Sequence, residues 1–272
     1  MKIFIKREWF ILISYLKLLF RNFNKYFKVS STAYFAGTFG IVSAAKPAYF
    51  FCRYIDDIAD GDHLLPEKEF RSLLEKLKAI ITNNTCAKTG LEATLKKALD
   101  SLHKNNQPKI VDDEFISFLD AMLHDYERRI HRKACSKEEL LNIYDQSFKP
   151  VLHLAFLGLG VQIDEKYIYE LGRLQGRIYA IQDLEEELKK GIINLPTELL
   201  NEINLSTEKL CNTPRTLQKT DRFKNWIQTE CKECLSYITD LRALKIDHEK
   251  SKKMIDLLVD PLAEDIKNRL SN

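Results

Sequence analysis

Residues Phe51–Asp62 read FCRYIDDIADGD. Asp56, Asp57, Asp60 and Asp62 fall within seven residues, directly after an aromatic, apolar run. Upstream, Lys46-Pro47 suits a helix start, because proline fits the first helical turn. Downstream, Gly61 is a natural left-handed cap, with Pro66 beyond it. The spacing therefore predicts a helix over 46–60 whose last turns carry the acids. That is the unfavourable end for negative charge. Each acid there costs a few tenths up to about 1 kcal/mol against the helix dipole. Asp56 and Asp60 stand i,i+4 and share one face.

A second stretch repeats the arrangement. Apolar spacing predicts one helix over 164–190, stopping at Gly191 with Pro196 beyond. Asp183 and Glu187 are again i,i+4 near its end. Gly172 and Gly176, also i,i+4, leave a smooth strip where another helix or a ligand can come close. Taken singly, each acidic cluster reads as a solvated helix end. Taken together, two such pairs facing each other would gather carboxylates. Hard oxygen ligands of that kind suit Mg²⁺, which usually keeps waters and bridges to phosphates.

The rest of the chain agrees with helices. Among 272 residues there are only 9 Gly and 7 Pro, and spacings of three and four recur almost throughout. Further helices are expected at 3–27, 33–42, 67–82, 89–104, 112–132, 137–159, 217–243 and 248–269. Residues 191–216 read as irregular, with a short helix near Pro196–Asn201. No segment alternates with period two. The expected architecture is all-α: a basic amphipathic helix over 1–29, then a single domain over 30–272.

Charge is uneven. Residues 1–30 hold seven Lys or Arg against Glu8 alone, while the whole chain is only +3. The body is therefore not a nucleic-acid surface. The basic arm reads as a first helix packed on the domain, or as a helix lying on an anionic membrane. Its apolar run is short for a membrane span. Six scattered cysteines do not make a disulfide framework and point to a reducing, cytoplasmic setting. Cys231 and Cys234 form a lone CxxC, a weak zinc or redox signal.

These residues carry a resemblance. AYFFCRYIDDIAD (Ala48–Asp60) resembles the first aspartate motif of the squalene/phytoene synthase family: an aromatic, Cys-Arg, then Asp-Asp-x-x-Asp. Ser30-Ser31-Thr32-Ala33-Tyr34-Phe35 resembles that family's Ser-x-Ser-Phe entry. DLEEELKKGIINLP (Asp183–Pro196) resembles its second motif, and FLDAMLHDYE (Phe118–Glu127) the helix between them. The resemblance implies an isoprenoid-synthase helical bundle with a central cavity. It implies Mg²⁺ ligands at Asp56, Asp57, Asp60, Asp183 and Glu187, and diphosphate contacts from Arg53, Ser30 or Thr32. Tyr49 would face the cavity, with Gln175 and Tyr179 among the substrate contacts. Lys149 could reach a diphosphate or simply snorkel. The implied substrates are farnesyl or geranylgeranyl diphosphate. The implied reaction is Mg²⁺-assisted loss of diphosphate, capture of the allylic cation by a second prenyl diphosphate, and rearrangement of a cyclopropyl intermediate. A reductive version would need NADPH, for which no residue pattern is present.

The departures are specific. Tyr179 stands where the family has Asn, and Gln182 where it has Arg. Glu187 replaces an Asp. Ile192 and Asn194 replace the Arg and Tyr of Gly-Arg-x-Tyr-Leu-Pro. Phe148-Lys149-Pro150-Val151-Leu152 replaces a small-residue stretch, and Pro150 is expected to kink its helix. Three readings result: a head-to-head prenyl synthase, a terpene synthase ionising one prenyl diphosphate in a narrower cavity, and a non-catalytic binding or assembly relative.

Overall fold

The computed structural model describes residues 39–83, 85–161, 163–243 and 249–271. The N-terminal arm, Ser30 and Thr32 lie outside the described residues. Eleven α-helices follow in order among those described: α1 (Phe39–Ala59), α2 (Glu67–Asn83), α3 (Gly90–His103), α4 (Pro108–Ile130), α5 (Lys137–Gly158), α6 (Glu165–Gln182), α7 (Leu184–Lys190), α8 (Thr197–Ile203), α9 (Thr207–Asn212), α10 (Asp221–Ala243) and α11 (Glu249–Ser271), with a 3-10 helix at Pro214–Lys219 before α10. No strand occurs among the described residues, only an isolated bridge between Cys135 and Pro196. The all-α expectation holds.

The contacts divide the chain into two interleaved units. The first takes residues up to Asp56, Pro66–Leu119 and His153–Val161; the second takes Asp57–Leu65, Asp120–Leu152 and Gln162–Asn272. Helices α1, α4 and α5 contribute to both.

In the first unit, α2 buries Phe70, Leu74, Leu77 and Ile81, a stripe at helical spacing. It packs on α3. Thr89 and Glu92 close a capping box at the start of α3, satisfying N–H groups that the first turn cannot. Phe51 meets Phe115 edge-on, with ring centroids 5.6 Å apart.

In the second unit, α6 is buried along most of its length and packs on α10 and α11. The short helix expected near Pro196–Asn201 is present as α8, and the rest of the segment expected to be irregular is folded as well. Two short helices and the 3-10 helix cover a cluster of Leu188, Ile193, Leu195, Leu200, Leu217 and Phe223. At six or seven residues each, these helices are too short to show a period.

Two other elements differ from expectation. Pro47 lies inside α1 instead of opening a helix. It gives up one ladder bond, and the buried Pro47 and Ala48 offset that loss. Pro150 likewise sits within a continuous α5.

Candidate functional site

Helix α1 ends at Ala59, leaving Asp60 as the first residue beyond it. Gly61 follows at φ +81, its N–H donating to the Ile58 carbonyl at 3.1 Å. The His63 N–H donates to the Asp57 carbonyl at 3.0 Å, folding the chain back under the helix end. Asp57 and Asp60 are partly buried in the second unit. Arg53 and Asp56 belong to the first unit, where they pair at 2.7 Å. Tyr49, also there, is 40% exposed and lies 5.8 Å from the Phe50 ring.

The second acidic segment is not one helix. It breaks at Asp183, which is exposed and joins α6 to α7. The helical turn survives locally, because the Glu187 N–H still donates to the Asp183 carbonyl at 2.9 Å. The electrostatics change, however. Glu185, Glu186 and Glu187 now sit in the first turn of α7, where the helix dipole favours acids. Only the first acidic segment works against its dipole. Gly191 ends α7 at φ +91 as a left-handed cap.

A polar chain holds Glu187. The Asn194 side-chain amide donates to its carboxylate at 2.9 Å. Arg128 donates to the Asn194 side-chain carbonyl and to the Ile193 backbone carbonyl, both at 3.0 Å. The other arm of Arg128 donates to Asp125 at 3.0 Å, and the Ser147 hydroxyl to the same carboxylate at 2.8 Å. Burial, abetted by the charge of Asp183, pushes the Glu187 carboxyl up to about 8, while Asn194 and Arg128 pull the other way. A divalent cation would relieve that strain on its charge. Among the described residues no three His, Cys, Asp or Glu side chains gather as a ready ligand set. Mg²⁺ needs no such cage, since it commonly takes one or two carboxylates and completes its shell with water and phosphate. The donor chemistry therefore fits.

The last turn of α4 lies between the two glycine caps. Arg129 donates through Nε to the Ala59 carbonyl at 2.6 Å, at the end of α1. A Cβ on Gly61 would stand 2.8 Å from its guanidinium, and one on Gly191 would stand 3.0 Å from its carbonyl oxygen. Lys190, at the end of α7, pairs with Asp62 at 2.7 Å. Within the second unit, then, the turn after Asp57 and Asp60 is joined to the helix of Glu187.

The smooth strip on α6 receives a helix. Tyr144 of α5 covers Gly176, and Phe148 covers Gly172. Phe148 and Tyr179, two of the departures, contact each other with ring centroids 6.0 Å apart. Gln175 is buried on α6. Lys149 pairs with Glu165 at 3.3 Å and lies over Tyr169 at the opposite end of α6. Tyr169 is about 21 Å and Glu165 about 27 Å along the axis from Asp183, at 1.5 Å per residue. Cys231 and Cys234 are buried and free, and burial pushes the Cys234 thiol up to about 12. Arg128, Arg129 and Ser147 join the site without a motif that announces them, and Asp125 lies within the quoted Phe118–Glu127 stretch. The basic run Arg128-Arg129-Ile130-His131-Arg132-Lys133 at a helix end was the available signal.

A family model for squalene/phytoene synthase matches residues 44–260. The chain belongs to the squalene/phytoene synthase family. No curated protein and no solved structure matches it. The matched region contains both acidic segments, Asn194 and the turn of α4 between the glycine caps. Membership agrees with the all-α fold and makes the chain prenyltransferase-like in general, acting in isoprenoid biosynthesis on prenyl diphosphates. No described helix of this squalene/phytoene synthase relative is long and apolar enough to cross a membrane.

Proposed function

We propose that the protein is a Mg²⁺-dependent prenyltransferase that joins two prenyl diphosphates head to head and releases diphosphate. The observation that carries this reading is the joining of the two acidic segments through Lys190–Asp62 and the last turn of α4, in a chain of this family. Asp56, Asp57 and Asp60 on one segment, and Asp183 and Glu187 on the other, would hold Mg²⁺. Bound Mg²⁺ would neutralise the diphosphate and make it a better leaving group. The chain's own residues do the rest. Arg128 and Asn194 orient Glu187 and keep one of its oxygens engaged. Arg53 offers a guanidinium to the diphosphate once Asp56 turns to metal. Farnesyl or geranylgeranyl diphosphate are the substrates to try, and a reductive second half would draw on NADPH. The basic N-terminal arm would hold the enzyme against an anionic membrane from the cytoplasmic side.

One observation favours a second reading. Phe148 and Tyr179 fill, against each other, positions where the family has a small residue and Asn. A cavity so narrowed would suit one prenyl chain, ionised and then cyclised or quenched by water.

The test is incubation with Mg²⁺ and each prenyl diphosphate, with and without NADPH, following diphosphate and extracted hydrocarbons. A product of doubled carbon number, lost in Asp56→Ala, is expected. An undoubled product would select the second reading. No release at any chain length from folded protein would refute both.

A further inference from the structure

Arg132 is held in a conformation that its residue type disfavours. It has φ +49, and among the described residues only Asn204 shares a positive φ without being glycine. Asn tolerates that region through its short polar side chain; arginine has no such aid. The position closes α4: the Arg132 N–H donates to the Arg129 carbonyl at 3.2 Å and the Lys133 N–H to the Arg128 carbonyl at 2.9 Å. Glycine is the residue that such a helix end normally takes. A charged side chain is kept there at the expense of backbone comfort.

The side chain is exposed and lies across Gly191, with Cγ 3.4 Å and Nε 3.9 Å from where a Cβ would be. One turn earlier, the Arg129 guanidinium lies across Gly61. The two arginines thus reach the ends of both acidic segments from one turn. Neither makes an ion pair among the described residues. Several nearby cations do: Arg128 with Asp125, Lys189 with Glu185, Lys190 with Asp62. Countering the partial negative charge of helix ends explains part of this. It does not explain why Arg132 remains exposed and strained without a carboxylate partner.

We propose that Arg129 and Arg132 form a two-guanidinium receptor for a diphosphate group, set between the Gly61 and Gly191 ends of the acidic segments. The identity of that group as the head of a prenyl substrate rests on the function proposed above. Guanidinium groups bind phosphate oxygens through paired N–H donors, and two of them match a dianion that carboxylates alone would repel. The arrangement places cations of the chain beside the segments that would hold metal, so that ligand charge is met from both sides.

Arg132→Gly is the test, because it removes the charge and suits the backbone. Its melting temperature is expected to equal or exceed that of the wild type. Its affinity for inorganic diphosphate in Mg²⁺, measured by calorimetry, is expected to fall about tenfold or more, the loss of one charge-assisted contact pair. The KM for farnesyl diphosphate should rise by a similar factor with a smaller change in kcat, and Arg132→Lys should recover part of both. Inorganic phosphate, with one phosphorus centre, should bind weakly to either protein. Diphosphate binding by Arg132→Gly equal to wild type overturns the receptor, as does wild-type protein that binds no diphosphate. Wild-type protein that binds diphosphate through Arg132 but turns over no prenyl diphosphate keeps the receptor and removes the proposed reaction. Turnover with KM unchanged in Arg132→Gly keeps the reaction and removes the receptor.

Discussion

Gly172 and Gly176 lie one turn apart on α6, and substituting each with alanine should have opposite consequences. Both exchanges gain the same helix propensity, about 1 kcal/mol for Gly to Ala in a helix interior. The surroundings differ. A Cβ at Gly172 would stand 3.3 Å from Phe148 Cβ, which a shift of a few tenths of an ångström relieves. A Cβ at Gly176 would stand 2.4 Å from Tyr144 Cγ, 2.6 Å from Cδ1 and 2.7 Å from Cβ. Those atoms are the root of a buried ring, which cannot swing aside without moving α5. Overpacking of that kind costs about 1–3 kcal/mol, and contact this close belongs at the upper end. Gly172→Ala should therefore be neutral or stabilising by up to about 1 kcal/mol. Gly176→Ala should destabilise, and the two variants should differ by about 1–3 kcal/mol. The shared propensity gain cancels in that difference. Urea unfolding measures it, with equal slopes required for a fair comparison. Combining Gly176→Ala with Tyr144→Ala should turn the glycine exchange favourable, as a double-mutant cycle would report. Equal stability of the two single variants would refute the packing of Tyr144 on Gly176.

Three further outcomes are expected. Asn194→Leu takes the amide donor from Glu187 and one of two acceptors from an arm of Arg128, which keeps the Ile193 carbonyl; it should cost about 2–4 kcal/mol in urea unfolding, since hydrogen bonds to charged groups are the strong ones. Glu230→Ala removes the buried carboxylate that Arg177 Nε holds at 2.6 Å and leaves Arg177 with Glu233 alone; it should cost about 1.5–3 kcal/mol, part of it recovered when Arg177→Met is added. A thiol reagent should label Cys86 rapidly in the native protein and the other five cysteines only in denaturant, because Cys86 alone among the six is exposed; fast native labelling of Cys231 or Cys234 would contradict their burial.

Helix positions were legible where an apolar stripe was long and its ends were punctuated. Phe70, Leu74, Leu77 and Ile81 announce α2, and Gly61 and Gly191 mark the two acidic segments' ends. What escaped was set by contacts distant in sequence. The break at Asp183 has no glycine or proline to signal it. Asn194 looked like a lost tyrosine, yet it links Arg128 to Glu187. The glycine strip on α6 left helix and ligand equally open until Tyr144 and Phe148 were seen to cover it. The arginines of α4 gained meaning only from partners about 65 to 70 positions away.

The ion pair of Lys190 with Asp62 spans 128 positions. On the ribosome, at about 5–20 residues per second, roughly 6–26 s separate the synthesis of its two halves. For that interval the first aspartate turn exists as nascent chain without the lysine that will neutralise it. The second unit cannot close around that turn until α7 has left the exit tunnel. Any chaperone or cation that meets the growing chain in that interval meets those aspartates before Lys190 exists.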